Sequence, residues 1–301
     1  MGEFFTDREF GKKTQTGEQI TVPVFNGIVA LYDEYKTSMS KRFPETCPDN
    51  GQVVGFNETK FKDSMLAVVP DFTVSEYGHI APLRKDAWDQ SVMLFNQYAL
   101  LDFIEFCVES INDYAEGDYH SYFSHYHLRF IDGDSNKSAF KDKVNQIFQR
   151  NGIAFCMSAD WKIQRVLPTG LNQVIINYCQ QGNDTELNSL IDQAIKNIVK
   201  PKPDDRQIAL EKLWDAFERI KTYHLGVDKK TSASQLIQTA AEGSSEIFDL
   251  LNDEMKELTS IGNKFRIRHH ETDKIKINGV KHIDYLFYRA MSVLSMLIKY
   301  L

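Results

Sequence analysis

Apolar positions recur every three or four residues in separate blocks along the first third of the chain, and each block predicts a helix. Val24, Ile28, Leu31 and Tyr32 open one over residues 21–38, with Pro23 where a first helical turn tolerates it. Residues 42–55 are dense in turn formers, Asp49-Asn50-Gly51 above all, and predict a loop. Asn57 can cap a short helix that ends before Pro70. The longest helical stretch covers residues 85–112, with Leu94, Tyr98, Leu101, Ile104 and Val108 on its inward face.

After a Tyr/His-rich segment, Val144, Ile147 and Phe148 predict an amphipathic helix over 139–150 that Asn151-Gly152 stops. Apolar runs at 153–158 and 161–167 flank Ala159-Asp160 and predict a β-hairpin. Helix plus hairpin gives either a small winged element or a hairpin capping a helical domain. The second half reads as helix throughout. Asp184 or Thr185 caps a segment to Lys200, and Lys200-Pro201-Lys202-Pro203 is a stiff connector. Asp204 and Asp205 then start a helix to about residue 223 with Ile208, Leu213, Phe217 and Ile220 inward. Helices follow over 232–241 and 244–260, the latter carrying Ile247, Leu250, Leu251 and Leu258. The last, over 282–301, aligns Leu286, Phe287, Ala290, Met291, Leu294, Leu297 and Ile298 on one face. The expected fold is mainly α: a mostly helical N-terminal domain, residues 1–182, with the hairpin near 153–167, and a helical bundle over 183–301.

Composition narrows the class. The 301 residues, 42% hydrophobic, can bury the cores of two domains, and only 8 Pro and 16 Gly exclude fibrous and low-complexity chains. The 35 Lys+Arg against 42 Asp+Glu leave a net charge of −7. Acids at Glu3, Asp7 and Glu9 argue against a secretory signal, and no run approaches the roughly 18 apolar residues of a membrane span. Cys47, Cys107, Cys156 and Cys179 form no C-x-x-C pair, which speaks against a zinc ribbon or redox motif and for reduced thiols in the cytoplasm. P-loop, G-x-G-x-x-G, G-x-S-x-G and H-E-x-x-H motifs are all missing.

Candidate chemistry gathers at residues 263–271. There Arg266 and Arg268 supply forks for phosphate, and His269 and His270 titrate near neutral pH and can move a proton. Residues 261–284 hold six Lys/Arg against three Asp/Glu, a local charge of +3 on an acidic protein. This fits a phosphate-bearing ligand touched at one spot. It also fits a solvated basic connector whose arginines pair with acids on neighbouring helices.

A second cluster lies in Tyr119-His120-Ser121-Tyr122-Phe123-Ser124-His125-Tyr126-His127. If extended, it places His125 and His127 on one side, where they could share a metal in a hydrolase. Beyond Asp118 no carboxylate or cysteine is spaced to complete such a site. An aromatic core edge or a stacking surface for single-stranded RNA is the plainer expectation. No metal and no cofactor is therefore expected. Lys162 and Arg165 could contact nucleic acid from the hairpin, although strict alternation points them apart.

The order of hairpin, short helix, helix after a Pro-containing linker, and R-H element before a terminal amphipathic helix resembles HEPN-domain proteins of the abortive-infection (Abi) class. Carrying it are residues 155–167, residues 209–222 with Ala216-Phe217-Glu218-Arg219-Ile220-Lys221, and residues 265–301 with Ile267-Arg268-His269. Phe4-Phe5-Thr6-Asp7-Arg8 and Phe43-Pro44-Glu45-Thr46-Cys47 add to it at the start. The resemblance implies a metal-independent endoribonuclease, often dimeric, in phage defence or as a toxin. On this pattern Arg268 or Arg266 holds the scissile phosphate, His269 or His270 is the base, and Glu218 orients them. Lys264, Lys274 and Lys276 would bind the RNA, tRNA being the first candidate. The terminal helix, with Tyr285, Tyr288 and Met296 near its edges, would supply a homodimer face.

The family separates its Arg and His by four to six residues. Here three lie between Arg266 and His270 and none between Arg268 and His269, while the strict R-x4-H, Arg219 to His224, falls at a helix end. The alternative is a non-catalytic helical module that binds RNA or a partner protein.

Overall fold

The structure is a computed structural model that describes residues 4–83, 94–167, 169–178, 184–223, 228–268 and 272–301. The chain forms two compact units, Met1–Val166 and Leu167–Leu301.

In the first unit the elements are α1 (Phe5–Phe10), α2 (Val22–Tyr35), β1 (Pro44–Thr46), β2 (Val53–Phe56), α3 (Glu58–Val68), α4 (Gln97–Ser110), β3 (Asp113–His120), β4 (His125–Ile131), α5 (Ser135–Arg150), β5 (Phe155–Met157) and β6 (Ile163–Arg165). Among the described residues the strands pair as three separate antiparallel hairpins, β1 with β2, β3 with β4 and β5 with β6. Helices dominate, and their core is aromatic. Tyr32 of α2 packs against Phe61 of α3 and Phe103 of α4, and Phe72 stacks on Phe103 with centroids 4.4 Å apart.

Capping decides where these helices start. The Asn57 side chain accepts from the Lys60 N–H and opens α3 as expected. Asn96 does the same for α4 through the Tyr98 N–H. That corrects the long helix expected from residue 85: Leu94 precedes the cap and is 92% exposed and Tyr98 is exposed too, while Leu101, Ile104 and Val108 are buried as expected, together with Leu100, Phe103 and Cys107. Residues 84–93 of that expectation lie outside the described residues.

Helix α5 begins at Ser135, earlier than its apolar pattern, because a carboxylate from another element caps it. Asp113, at the start of β3, accepts from the Asn136 N–H at 2.7 Å and the Ser135 N–H at 2.9 Å. Those bonds, Asn136 foremost, hold the Asp113 carboxyl below its ordinary range. The loop expected over 42–55 is instead the β1–β2 hairpin. Its turn is closed by Cys47 N–H to Gln52 O at 2.8 Å and Gly51 N–H to Cys47 O at 2.9 Å, with Gly51 at φ +71°. The third hairpin sits where expected, with Phe155 opposite Arg165.

The second unit contains α6 (Thr169–Ile176), α7 (Thr185–Ile198), α8 (Pro203–Ile220), α9 (Lys229–Ala240), α10 (Ser245–Lys264) and α11 (Val280–Leu297), with a 3-10 turn over Ile298–Tyr300. Leu213, Trp214, Phe217 and Ile220 of α8 pack with Ile191 of α7 and with Phe287 and Leu294 of α11. Leu167 and Leu171 bury in this core, so the unit starts upstream of residue 183. Two expected stripes hold in part: Leu213, Phe217 and Ile220 of α8 and Leu251 and Leu258 of α10 are buried as expected. Ile208 is only half-buried, and Ile247 and Leu250 are exposed while Leu251, Met255 and Leu258 face the core. At Gly262 a Cβ would stand 2.2 Å from Trp214 Nε1, so a side chain there would force the Trp214 ring or the helix to shift. No helix among the described residues is long and apolar enough to cross a membrane.

Candidate functional site

The R-H element falls in the connection between α10 and α11, which folds back on itself. Phe265 bridges Ile275, the Arg266 N–H donates to Ile275 O at 2.8 Å, and the Ile275 N–H donates to Lys264 O at 3.1 Å. Ile267 is 1% exposed and anchors the connection in the core. Gln207 of α8 donates from Nε2 to Ile267 O and Arg266 O. Apolar burial and hydrogen bonds to four backbone carbonyls thus fix residues 265–268, and the two arginines diverge from that fixed base.

Arg268 turns to α8. Its Nε and NH2 groups donate to Asp215 Oδ1 at 3.0 and 2.8 Å. Arg266 instead lines a cavity of about 380 Å³ together with Lys276, Gln207 and Asn278. The first turns of two helices reach this cavity: Pro203 and Asp204 begin α8, and Val280 begins α11. Neither helix has a side-chain cap, so the positive ends of both dipoles face one space beside a guanidinium and an ammonium. Asp204 sets one negative charge against them. The buried guanidinium of Arg206 in α8 stands 3.5 Å from Asp284 of α11 and ties the first turns of the two helices together.

The other expected site residues scatter. Glu218 pairs with Lys221 at 2.7 Å, one turn beyond Asp215, which holds Arg268. Lys274 donates to Gly262 O at 3.1 Å at the end of α10, and Lys264 lies 5.8 Å from the Phe265 ring centroid. Lys276 alone of the three lysines reaches the cavity. His269 and His270 lie outside the described residues, as does His224. Sequence reasoning missed Asp215; its signal was a carboxylate one turn before Glu218 on the polar side of α8.

In the first unit Lys162 is held by Glu105 at 3.1 Å and Glu109 at 2.9 Å, and Arg165 is 5% exposed. Both are taken up within the unit, which favours an ordinary hairpin over the phosphate contacts these two residues could make. His125 and His127 do share a face of β4, and His120 joins them from directly across the hairpin. Asp118 is not among the groups gathered there, but Cys47 is. The expectation that no cysteine completes the cluster is therefore corrected by a residue from a different hairpin.

Comparison with curated proteins yields no match, and comparison with solved structures yields none either. A family model described as AbiJ N-terminal domain 4 matches residues 3–181, more than half of the chain. The match covers the first unit and α6 and stops short of α7 to α11. The chain belongs to the AbiJ N-terminal domain 4 family, a family of abortive-infection proteins.

Proposed function

We propose that this abortive-infection protein acts on RNA through the α10–α11 connection, as a metal-independent endoribonuclease with the bundle as its catalytic part. The observation that carries the reading is the cavity where Arg266, Lys276 and the uncapped starts of α8 and α11 converge. Helix N-termini with adjacent cations suit a phosphate. Nothing about that recognition needs a particular base.

The same connection carries Arg268, His269 and His270. An imidazole there takes the proton of a ribose 2′-hydroxyl, the 2′-oxygen attacks phosphorus, and the P–O5′ bond breaks as the 5′-oxygen is protonated. A 2′,3′-cyclic phosphate and a 5′-hydroxyl result. The guanidiniums stabilise charge on the phosphoryl oxygens. The 59% exposed Tyr285 on α11 supports a homodimer through that helix, which sedimentation tests: a strict monomer at micromolar concentration opposes it.

A second reading, RNA or partner binding without cleavage, is favoured by the Arg268–Asp215 pair, which already occupies one of the two guanidiniums. Incubating tRNA with the purified protein and with the His269→Ala/His270→Ala double variant separates them. Cutting by the wild type alone supports the enzyme. Retention of tRNA without cutting supports the binding module.

A further inference from the structure

We propose that Cys47, His120, His125 and His127 bind a zinc ion that pins the β3–β4 hairpin to the β1–β2 turn. Three imidazoles meet because of strand register. His120 and His125 are direct cross-strand partners, and His127 lies two residues along β4 on the same face. Their ring centroids are 5.4 to 5.6 Å apart. The fourth group comes from the tight turn after β1, where Cys47 is 2% exposed and its Sγ lies 3.3 Å from His120 Nδ1. One donor atom from each residue lies within 4.8 Å of every other.

Those four donors match the borderline-soft preference of zinc for nitrogen and sulfur, whereas calcium and magnesium take oxygen ligands. On a zinc tetrahedron with bonds of about 2.0 to 2.3 Å the donors stand roughly 3.3 to 3.7 Å apart, so small side-chain rotations close the cage. Two further observations point to an ion. His125 Nε2 is buried with no hydrogen-bond partner, which an unligated imidazole nitrogen inside a protein rarely sustains. His120 turns Nδ1 to the thiol and Nε2 to Asp49 Oδ2 at 3.4 Å, the outer carboxylate that fixes the tautomer of a metal-bound histidine.

Four protein ligands close the coordination sphere, so the ion is structural and not catalytic. It holds a hairpin whose Tyr119, Tyr122 and Tyr126 are all exposed, and it does so in the first unit, independently of the RNA reading.

The test uses the full chain purified without a polyhistidine tag. Elemental analysis should find one zinc per chain. Replacing zinc by Co2+ should give intense tetrahedral ligand-field bands and a thiolate charge-transfer band, and Cys47→Ser should lose the latter. The His125→Ala/His127→Ala variant should lose the metal. If the variants fail to fold, the wild-type protein still decides. Folded wild-type protein with no zinc above the buffer blank, and with no charge-transfer band when Co2+ is added, overturns the proposal.

Discussion

Arg268 and Asp215 meet through a single oxygen: both Nε and NH2 of the guanidinium donate to Asp215 Oδ1, at 3.0 and 2.8 Å. The two side chains are about a third exposed, so the pair contributes roughly 0.5 to 1 kcal/mol to stability. Its larger effect is to aim Arg268 from a short connection. Arg268→Ala should leave the fold intact, with a melting temperature a few degrees lower at most, and should cut RNA cleavage at least about 100-fold if the arginine stabilises the transition state. Circular dichroism beside a cleavage assay reads both.

The cavity makes a separate prediction. Arg266→Ala and Lys276→Ala each remove one cation from the space at the starts of α8 and α11. Each should weaken RNA binding, and the slope of log affinity against log salt should become shallower by about one unit per cation removed. Lys162→Ala should change neither, because that ammonium is occupied by Glu105 and Glu109.

Close packing of α10 on α8 predicts the cost of one methyl group. Gly262→Ala would place a Cβ 2.2 Å from Trp214 Nε1, and both residues sit on regular helices that cannot shift independently. Destabilisation of about 1 to 3 kcal/mol is expected, measured as a lower urea midpoint at unchanged slope.

Asp184 makes stability depend on acid. It caps α7 through the Leu187 N–H at 3.0 Å and accepts from Arg219 Nε at 2.8 and 2.9 Å. Burial by itself would raise its carboxyl, but the Arg219 guanidinium and the α7 N–H groups outweigh burial and hold it below the usual range. A carboxyl depressed on folding contributes stability above its unfolded value, near 3.9, and that contribution is lost as pH falls through the folded value. Asp184→Asn keeps a capping oxygen and loses the charge. It should be less stable than the wild type at pH 7 by about 1 kcal/mol, with the gap closing below about pH 4 in denaturant titrations.

The long helices of the second unit were legible because capping and periodicity agree in them: Asp184 before α7, Pro203 at the start of α8, and an unbroken apolar face along α11. The hairpins of residues 44–56 and 113–131 were not. β1 and β2 have only three and four residues, and both hairpins carry register shifts, at Glu45/Thr46 and Glu116/Tyr119, that break the alternation along their strands. The candidate sites show the same divide. The cationic text around Arg266 and Arg268 stands out in one window, whereas Asp215 is 53 residues from Arg268 and Cys47 is 73 residues from His120. Only folding brings such partners together.

The central claim is that RNA is cut by attack of its own 2′-hydroxyl at the α10–α11 connection, and the ends of the products test it most directly. tRNA treated with the wild-type protein should carry 2′,3′-cyclic phosphate and 5′-hydroxyl ends, and His269→Ala/His270→Ala should yield no fragments. Fragments with 5′-phosphate and 3′-hydroxyl ends, or equal cutting by the double variant, would contradict the account.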